Sequence, residues 1–143
     1  MVDPRTLSPQ ARDLVELVDR FALGTPGVQH AVVLSTDGLL VTGSSSLSGE
    51  HAERFAATAS GVLALATSSG GLFGFGGYEQ TIMRFEFGFL FVTAIAADCA
   101  LAVAARKDCD MRTVAFEMAQ FALRCGHYLT PGVRGELRAV LAS

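Results

Sequence analysis

Apolar positions near the start of the chain repeat with a helical period. Leu14, Leu17, Val18, Phe21 and Ala22 recur at i, i+3, i+4, i+7 and i+8 and form one stripe. Arg12, Glu16 and Arg20 fall on the other side at i, i+4 spacing. Ser8 followed by Pro9 supplies an N-cap and a proline at the first helical position, and Gly24 with Thr25-Pro26-Gly27 stops the helix and turns the chain. The period then changes. Ala31 to Ser35 and Leu39 to Thr42 are β-rich runs separated by Asp37-Gly38, a tight-turn signal, so a hairpin follows the helix.

Ser48 is placed to cap a second helix predicted from about Gly49 to Ser68, with Gly70 to Gly77 as a flexible connection. Tyr78 to Glu86 alternates as a strand, with Thr81, Met83 and Phe85 on one side and Gln80, Ile82 and Arg84 on the other. Phe87-Gly88 turns into the continuous apolar run Phe89 to Ile95. After Ala97-Asp98-Cys99, Ala100 to Ala105 has the same character, which suits strands covered on both faces. Asp108 or Asp110 caps a last long helix with the stripe Met111, Val114, Ala115, Met118, Phe121, Ala122 and Cys125, closed by Gly126. Thr130-Pro131 restarts a tail helix over about residues 131–141, with Val133, Leu137 and Val140 as contacts. The order is helix, two strands, helix, three strands, helix and tail. It predicts one α+β domain over 1–143, with its core at about 10–127 and a largely antiparallel five-stranded sheet bracketed by helices.

On a wheel centred at Phe55, the second helix turns Phe55, Ala59, Val62, Leu63 and Ala66 toward the sheet, with Ala52 and Ala56 at the margin. The opposite side carries Glu53, Arg54, Ala57, Thr58, Ser60, Gly61, Ala64 and Leu65. Beyond Arg54 that outer face is small and uncharged for about three turns. Small side chains let a second backbone approach closely, and close packing there offsets the cost of Gly61 in a helix interior. The strand from Tyr78 to Glu86 has neither proline nor lysine to protect an edge, so pairing of two copies edge to edge is expected.

Composition narrows the function. Half of the residues are apolar and 17% are charged, an excess consistent with burial against another chain. Net charge is −3 and Lys107 is the sole lysine, so the clustered cations of nucleic-acid binding are missing. Phe55 to Tyr78 holds no charge, but its strongly apolar part is short of the ~20 residues a membrane span needs, so no membrane insertion is expected. Met1 to Arg5 has no apolar run after its charge, and no signal peptide is expected. Cys99, Cys109 and Cys125 read as free thiols in a reducing cytoplasm.

Catalytic signals are weak. The loop glycines 70, 71, 74, 76 and 77 are followed by no lysine and open no helix, unlike a phosphate-binding loop. His30, His51 and His127 have no metal-ligand spacing, Gly43-Ser44-Ser45-Ser46-Leu47 lacks the last glycine of a nucleophile elbow, and Asp108 with Asp110 belongs to a helix start. Cys109, just before that helix, is a position where a thiol pKa can fall, but no histidine is near it in sequence. No catalytic, cofactor or metal residue is expected.

Pro26-Gly27-Val28 before Ala31-Val32-Val33-Leu34-Ser35-Thr36-Asp37-Gly38-Leu39 resembles the opening of Roadblock/LC7 domains. The small-residue helix Phe55 to Gly61, the segment Gly88 to Thr93, and Ala105 to Met118 with Asp108-Cys109-Asp110 are similar to the compact actinobacterial members. The likeness runs from about Leu14 to Leu141. It implies a profilin-like sandwich: a five-stranded antiparallel sheet with the second helix on one face and the first and last on the other. It also implies dimerisation through the second helix and third strand into a ten-stranded sheet. The dimer contact is then expected at Ala57, Ser60, Gly61, Ala64, Gln80, Ile82 and Arg84, and a partner contact at Arg54, Thr58 and Leu65. The expected partner is a small Ras-like GTPase, and the expected role is non-enzymatic regulation of it. The alternative is a GTPase-independent scaffold for a histidine kinase-like protein. The uncharged Gly70 to Gly77 loop departs from the family pattern.

Overall fold

The computed structural model describes residues 7–96 and 98–142. The readings at residues 1–5 and at Ala97 lie outside the described residues. Ser8 caps α1 (Pro9–Gly24) by accepting the Ala11 N–H, and the chain then enters the hairpin β1 (Val28–Ser35) and β2 (Leu40–Gly43). Ser48 caps α2 (Gly49–Phe73) through the His51 N–H. Next come β3 (Gln80–Arg84), β4 (Gly88–Ala96) and β5 (Cys99–Arg106), then α3 (Met111–Cys125), capped by Asp110, and α4 (Pro131–Ala142).

All strand pairings are antiparallel, in the order β2-β1-β5-β4-β3. The central strands are apolar on both sides because each side faces a different core. Val32, Leu34, Val92, Ala100 and Ala102 meet Ala52, Ala56, Ala59 and Leu63 of α2. Ala31, Val33, Phe91, Leu101 and Val103 meet Leu14, Val18 and Phe21 of α1, Val114, Met118 and Phe121 of α3, and Val133 and Leu137 of α4. One helix thus covers one face, and α1 and α3, joined by the tail helix α4, cover the other.

Two details differ from the sequence expectation. First, α2 does not stop at Ser68. It runs through Gly70 and Gly71 to Phe73 and ends on Gly74, whose φ of 65° lets its N–H reach the Gly70 carbonyl. Glycine costs a helix about 1 kcal/mol per residue but does not forbid it, and a left-handed glycine at the end closes it properly. At 25 residues α2 is long and apolar enough to cross a membrane by length and composition, so the expectation that it was too short does not hold. Its Ala52, Ala56, Ala59 and Leu63 are nonetheless packed on the sheet.

Second, the buried stripe of α2 is centred on Ala52, Ala56 and Ala59, with Phe55 and Val62 only partly buried beside it. Small residues at the centre bring the helix close to β2: a Cβ placed on Gly43 would sit 3.2 Å from the Ala52 Cβ. Gly126 closes α3 as expected. Its φ is −54°, and the chain tightens into a 3-10 turn, Gly126–Tyr128, before Thr130 accepts the Val133 N–H and starts α4.

Candidate functional site: an open sheet edge and the exposed face of the second helix

β3 ends the sheet, paired with β4 on one side only. Phe85 donates its N–H to the Gly88 carbonyl at 2.9 Å, and Ala94 donates to the Glu79 carbonyl at 3.2 Å. Alternate residues of an antiparallel strand direct their backbone groups to the same neighbour. Residues 79, 81, 83 and 85 therefore bond inward to β4, and the N–H and C=O groups of Gln80, Ile82 and Arg84 point out of the sheet.

The side chains of β3 divide between the faces. Thr81 and Met83 stand opposite Val92 and Leu90 and share the α2 face. Ile82 and Arg84 stand opposite Phe91 and Phe89 and share the face of α1 and α3. Gln80 lies on that face too, its amide donating to the Thr93 hydroxyl at 3.0 Å. The Arg84 guanidinium lies 5.9 Å from the Phe89 ring centre, and Lys107 Nζ lies 4.6 Å from it. The structure thus brings Gln80, Ile82 and Arg84 together along one edge, but on the side of the sheet away from α2. α2 itself packs chiefly over β1 and β2, toward the other edge of the sheet, and only its end comes near β4 and Tyr78.

On α2, Arg54, Ala57, Thr58, Gly61, Ala64 and Leu65 are all exposed, and only 17% of the helix's most apolar stretch is buried. A Cβ at Gly61 would meet nothing within 4 Å. Hydroxyls on this face are satisfied by the helix itself: Thr58 donates to the Arg54 carbonyl at 2.9 Å and Ser69 to the Leu65 carbonyl at 2.9 Å. Ser60 is the exception among the expected contact residues. It is half-buried, donates to the Ala57 carbonyl at 2.8 Å, and faces the Gly38 turn of its own chain.

The sequence reading missed two exposed apolar groups. Leu72, Phe73 and Phe75 form a tip at the end of α2, with the two phenylalanine rings stacked 5.4 Å apart. They lie within the glycine-rich stretch Gly70 to Gly77, whose composition predicts a flexible connection. Phe85 and Phe87 flank the β3–β4 turn beside a hollow of about 520 Å³ lined also by Gln29, Leu90 and Ala104. The signal for both was in the sequence as FGF repeats, Phe73-Gly74-Phe75 and Phe85-Glu86-Phe87-Gly88-Phe89, which glycine punctuation obscured.

A second hollow, of about 530 Å³, lies between the end of α2 and the tops of β4 and β5, lined by Leu63, Ala66, Gly70, Phe75, Tyr78, Ala94 and Ala100 among others. The Tyr78 hydroxyl there is held by Thr81 and by the Val92 carbonyl, and burial pushes its pKa up. Burial also raises the thiols: Cys99 to about 11, Cys125 to about 12, and Cys109 upward with help from Asp108 and Asp110. All three are protonated at neutral pH and poor nucleophiles. Among the described residues no three His, Cys, Asp or Glu side chains are grouped to hold a metal. The arrangement offers binding surfaces: backbone hydrogen-bonding groups along one edge and apolar area around it.

The family model of the Roadblock/LC7 domain matches residues 14–105. A Roadblock/LC7 domain structure from Streptomyces avermitilis is 35% identical, with a TM-score of 0.61, covering 82% of this chain and 98% of that one. Another from the same organism is 28% identical, with a TM-score of 0.71, covering 90% and 97%. Myxococcus xanthus MglB has the same fold at 12% identity, with a TM-score of 0.74 and coverage of 95% and 96%. No curated protein sequence matches the chain significantly.

Proposed function

The chain belongs to the Roadblock/LC7 family, and from that premise we propose that it is a non-enzymatic homodimeric platform that regulates a small Ras-like GTPase in the cytoplasm. One observation carries the dimer: β3 is an open edge whose outward backbone groups belong to Gln80, Ile82 and Arg84, in a sheet that carries on one face a long helix whose outer side is uncharged beyond Arg54. An unprotected edge is a template for another strand, and a second copy supplies an identical one. Pairing gives a ten-stranded sheet and sets two α2 helices on the same side. Ala57, Gly61 and Ala64 then allow close helix contact, while Arg54, Thr58 and Leu65 stay available to a partner.

The GTPase assignment draws on the family resemblance and on the absence of a converging reactive group in the site described above. Regulation without catalytic residues works by binding one conformation of the partner better than another. The test is GTP hydrolysis and nucleotide release by the GTPase encoded nearest to this chain, measured with and without the protein. A change in either rate supports regulation. Binding that leaves both rates unchanged favours the scaffold for a histidine kinase-like protein instead.

A further inference from the structure

We propose that the tip of α2 in one copy, Leu72, Phe73 and Phe75, seats beside Phe85 and Phe87 of a second copy, and that the contact is made twice by symmetry. This rests on the edge-paired dimer proposed above and names what closes it.

The register carries the argument. Outward groups on β3 occur at Gln80, Ile82 and Arg84. Antiparallel pairing of two copies about Ile82 uses all three, with each Gln80 beside the other copy's Arg84. In such a pair, the residues before Gln80 in one copy run alongside the residues after Arg84 in the other. Glu79 then falls beside Phe85 and Gly77 beside Phe87, which brings Phe75 and the end of α2 to the β3–β4 turn of the second copy.

The face agrees. Leu90 and Ala104, which line the hollow at Phe85 and Phe87, are register partners and lie on the α2 side of the sheet. The chain's own α2 cluster covers them only in part: Leu90 packs at the margin of that cluster and, like Ala104, stays half-buried, while α2 starts over β2, where Ala52 meets Gly43, and ends at Gly70 and Phe75 near Ala94 and Ala100, the opposite end of the strands. A two-fold axis normal to the sheet at Ile82 sets the end of the second copy's α2 level with the Phe85–Phe87 end of the first copy's strands.

The chemistry agrees as well. Leu72, Phe73, Phe75 and Phe87 are 77%, 64%, 76% and 84% exposed in the single chain, an unusual outlay of apolar surface within one short region. No charged residue lies between Phe55 and Tyr78, so nothing on the tip repels an identical copy. Glu86 is the charged residue that lines the hollow, and the nearby cation Lys107 is already engaged by the Phe85 carbonyl at 2.8 Å and by the Phe89 ring. Offset aromatic pairs add to the area buried.

The test uses the full chain with Cys109→Ser as background. Phe75→Cys with Phe87→Cys should give a disulfide-linked dimer under mild oxidation, and Ile82→Cys alone should give one across the edge. Phe73→Ser with Phe75→Ser should raise the dimer dissociation constant at least about tenfold by sedimentation, without unfolding, because both rings are exposed in the monomer. If Ile82→Cys links but the 75–87 pair does not, and the serine variant dimerises normally, the aromatic contact is wrong and the edge dimer stands. If Phe75→Cys in the dimer reacts with a maleimide as fast as an exposed thiol, the tip is free for another partner or a lipid surface, and the proposal fails. If neither pair links and the protein is monomeric, both readings fail.

Discussion

Gly27 lies against Cys109 so closely that a Cβ on Gly27 would collide with the Cys109 Cβ. The two residues fasten the loop before β1 to the turn before α3, and the Gly27 carbonyl accepts the Arg106 N–H at 2.8 Å. Gly27 also has a φ of 87°, a conformation side chains rarely adopt. Gly27→Ala should therefore destabilise the protein by at least about 2 kcal/mol, from backbone strain and overpacking together. Adding Cys109→Gly should restore part of that loss, because it removes the collision but not the strain. Urea unfolding of the single and double variants measures both; equal stability of Gly27→Ala and the parent would show that the loop is free to shift.

The Gly38 turn meets α2 in a gentler version of the same relationship. A Cβ there would lie 3.0 Å from Ser60 Oγ, and φ is 91°. Gly38→Ala should cost about 1–2 kcal/mol, mostly through φ, since the Ser60 hydroxyl can rotate away. Ser60→Ala in that background should recover only a minor share. Full recovery would mean that contact, not backbone conformation, sets the cost.

These glycines show where sequence patterns were legible. Asp37-Gly38 and Pro26-Gly27 marked turns, and both turns carry a glycine with positive φ. The strand order could not be read from periodicity, yet the two-sided apolar runs of β4 and β5 correctly marked interior strands; β1 is interior too, but its run was legible only as β-rich. The end of α2 was misread because glycine is a weak penalty within a helix, and a helix that starts on the sheet can carry Gly70 and Gly71 past it. The wheel centred on Phe55 was biased by side-chain size. The sheet admits α2 only at close range, so alanines occupy the centre. Alternation separated Thr81 and Met83 from Gln80, Ile82 and Arg84 correctly, but it could not say which set faces α2, because that depends on how β3 pairs with β4.

The tail helix should loosen in acid before the sheet does. Glu136 accepts the Ser8 N–H at 2.8 Å, which holds its carboxyl below the ordinary 4.5. Asp98 is held below 3.8 chiefly by its hydrogen bond from Arg134, at 2.6 Å. Acids with depressed folded-state pKa values contribute stability above their unfolded values and lose it as pH falls through the folded ones. Asp98 is exposed and Glu136 half-buried at the surface, so the effect is local and modest. Amide exchange in α4 should accelerate relative to β1 and β5 as pH drops below about 4, after correction for intrinsic rates. Asp98→Asn with Glu136→Gln should remove most of that pH dependence; an unchanged profile would place α4 docking on Val133 and Leu137 alone.

Gly61 separates folding from assembly most cleanly. It sits in mid-helix on the exposed face of α2, and a Cβ there meets nothing within 4 Å in the single chain. Gly61→Ala should stabilise the monomer by about 1 kcal/mol through helix propensity. If the two α2 helices approach at this face, the added methyl group meets the other copy, and the dimer should gain less than the monomer does. Gly61→Arg places a long charge in the same spot. It should keep the fold, judged by circular dichroism and a cooperative melt, while shifting the sedimenting species to the monomer mass at tens of micromolar. A charge buried without a partner costs several kcal/mol, enough to dissociate an interface of moderate affinity. If Gly61→Arg sediments as the parent does and binds the proposed GTPase partner equally well, the outer face of α2 serves neither the dimer nor that partner.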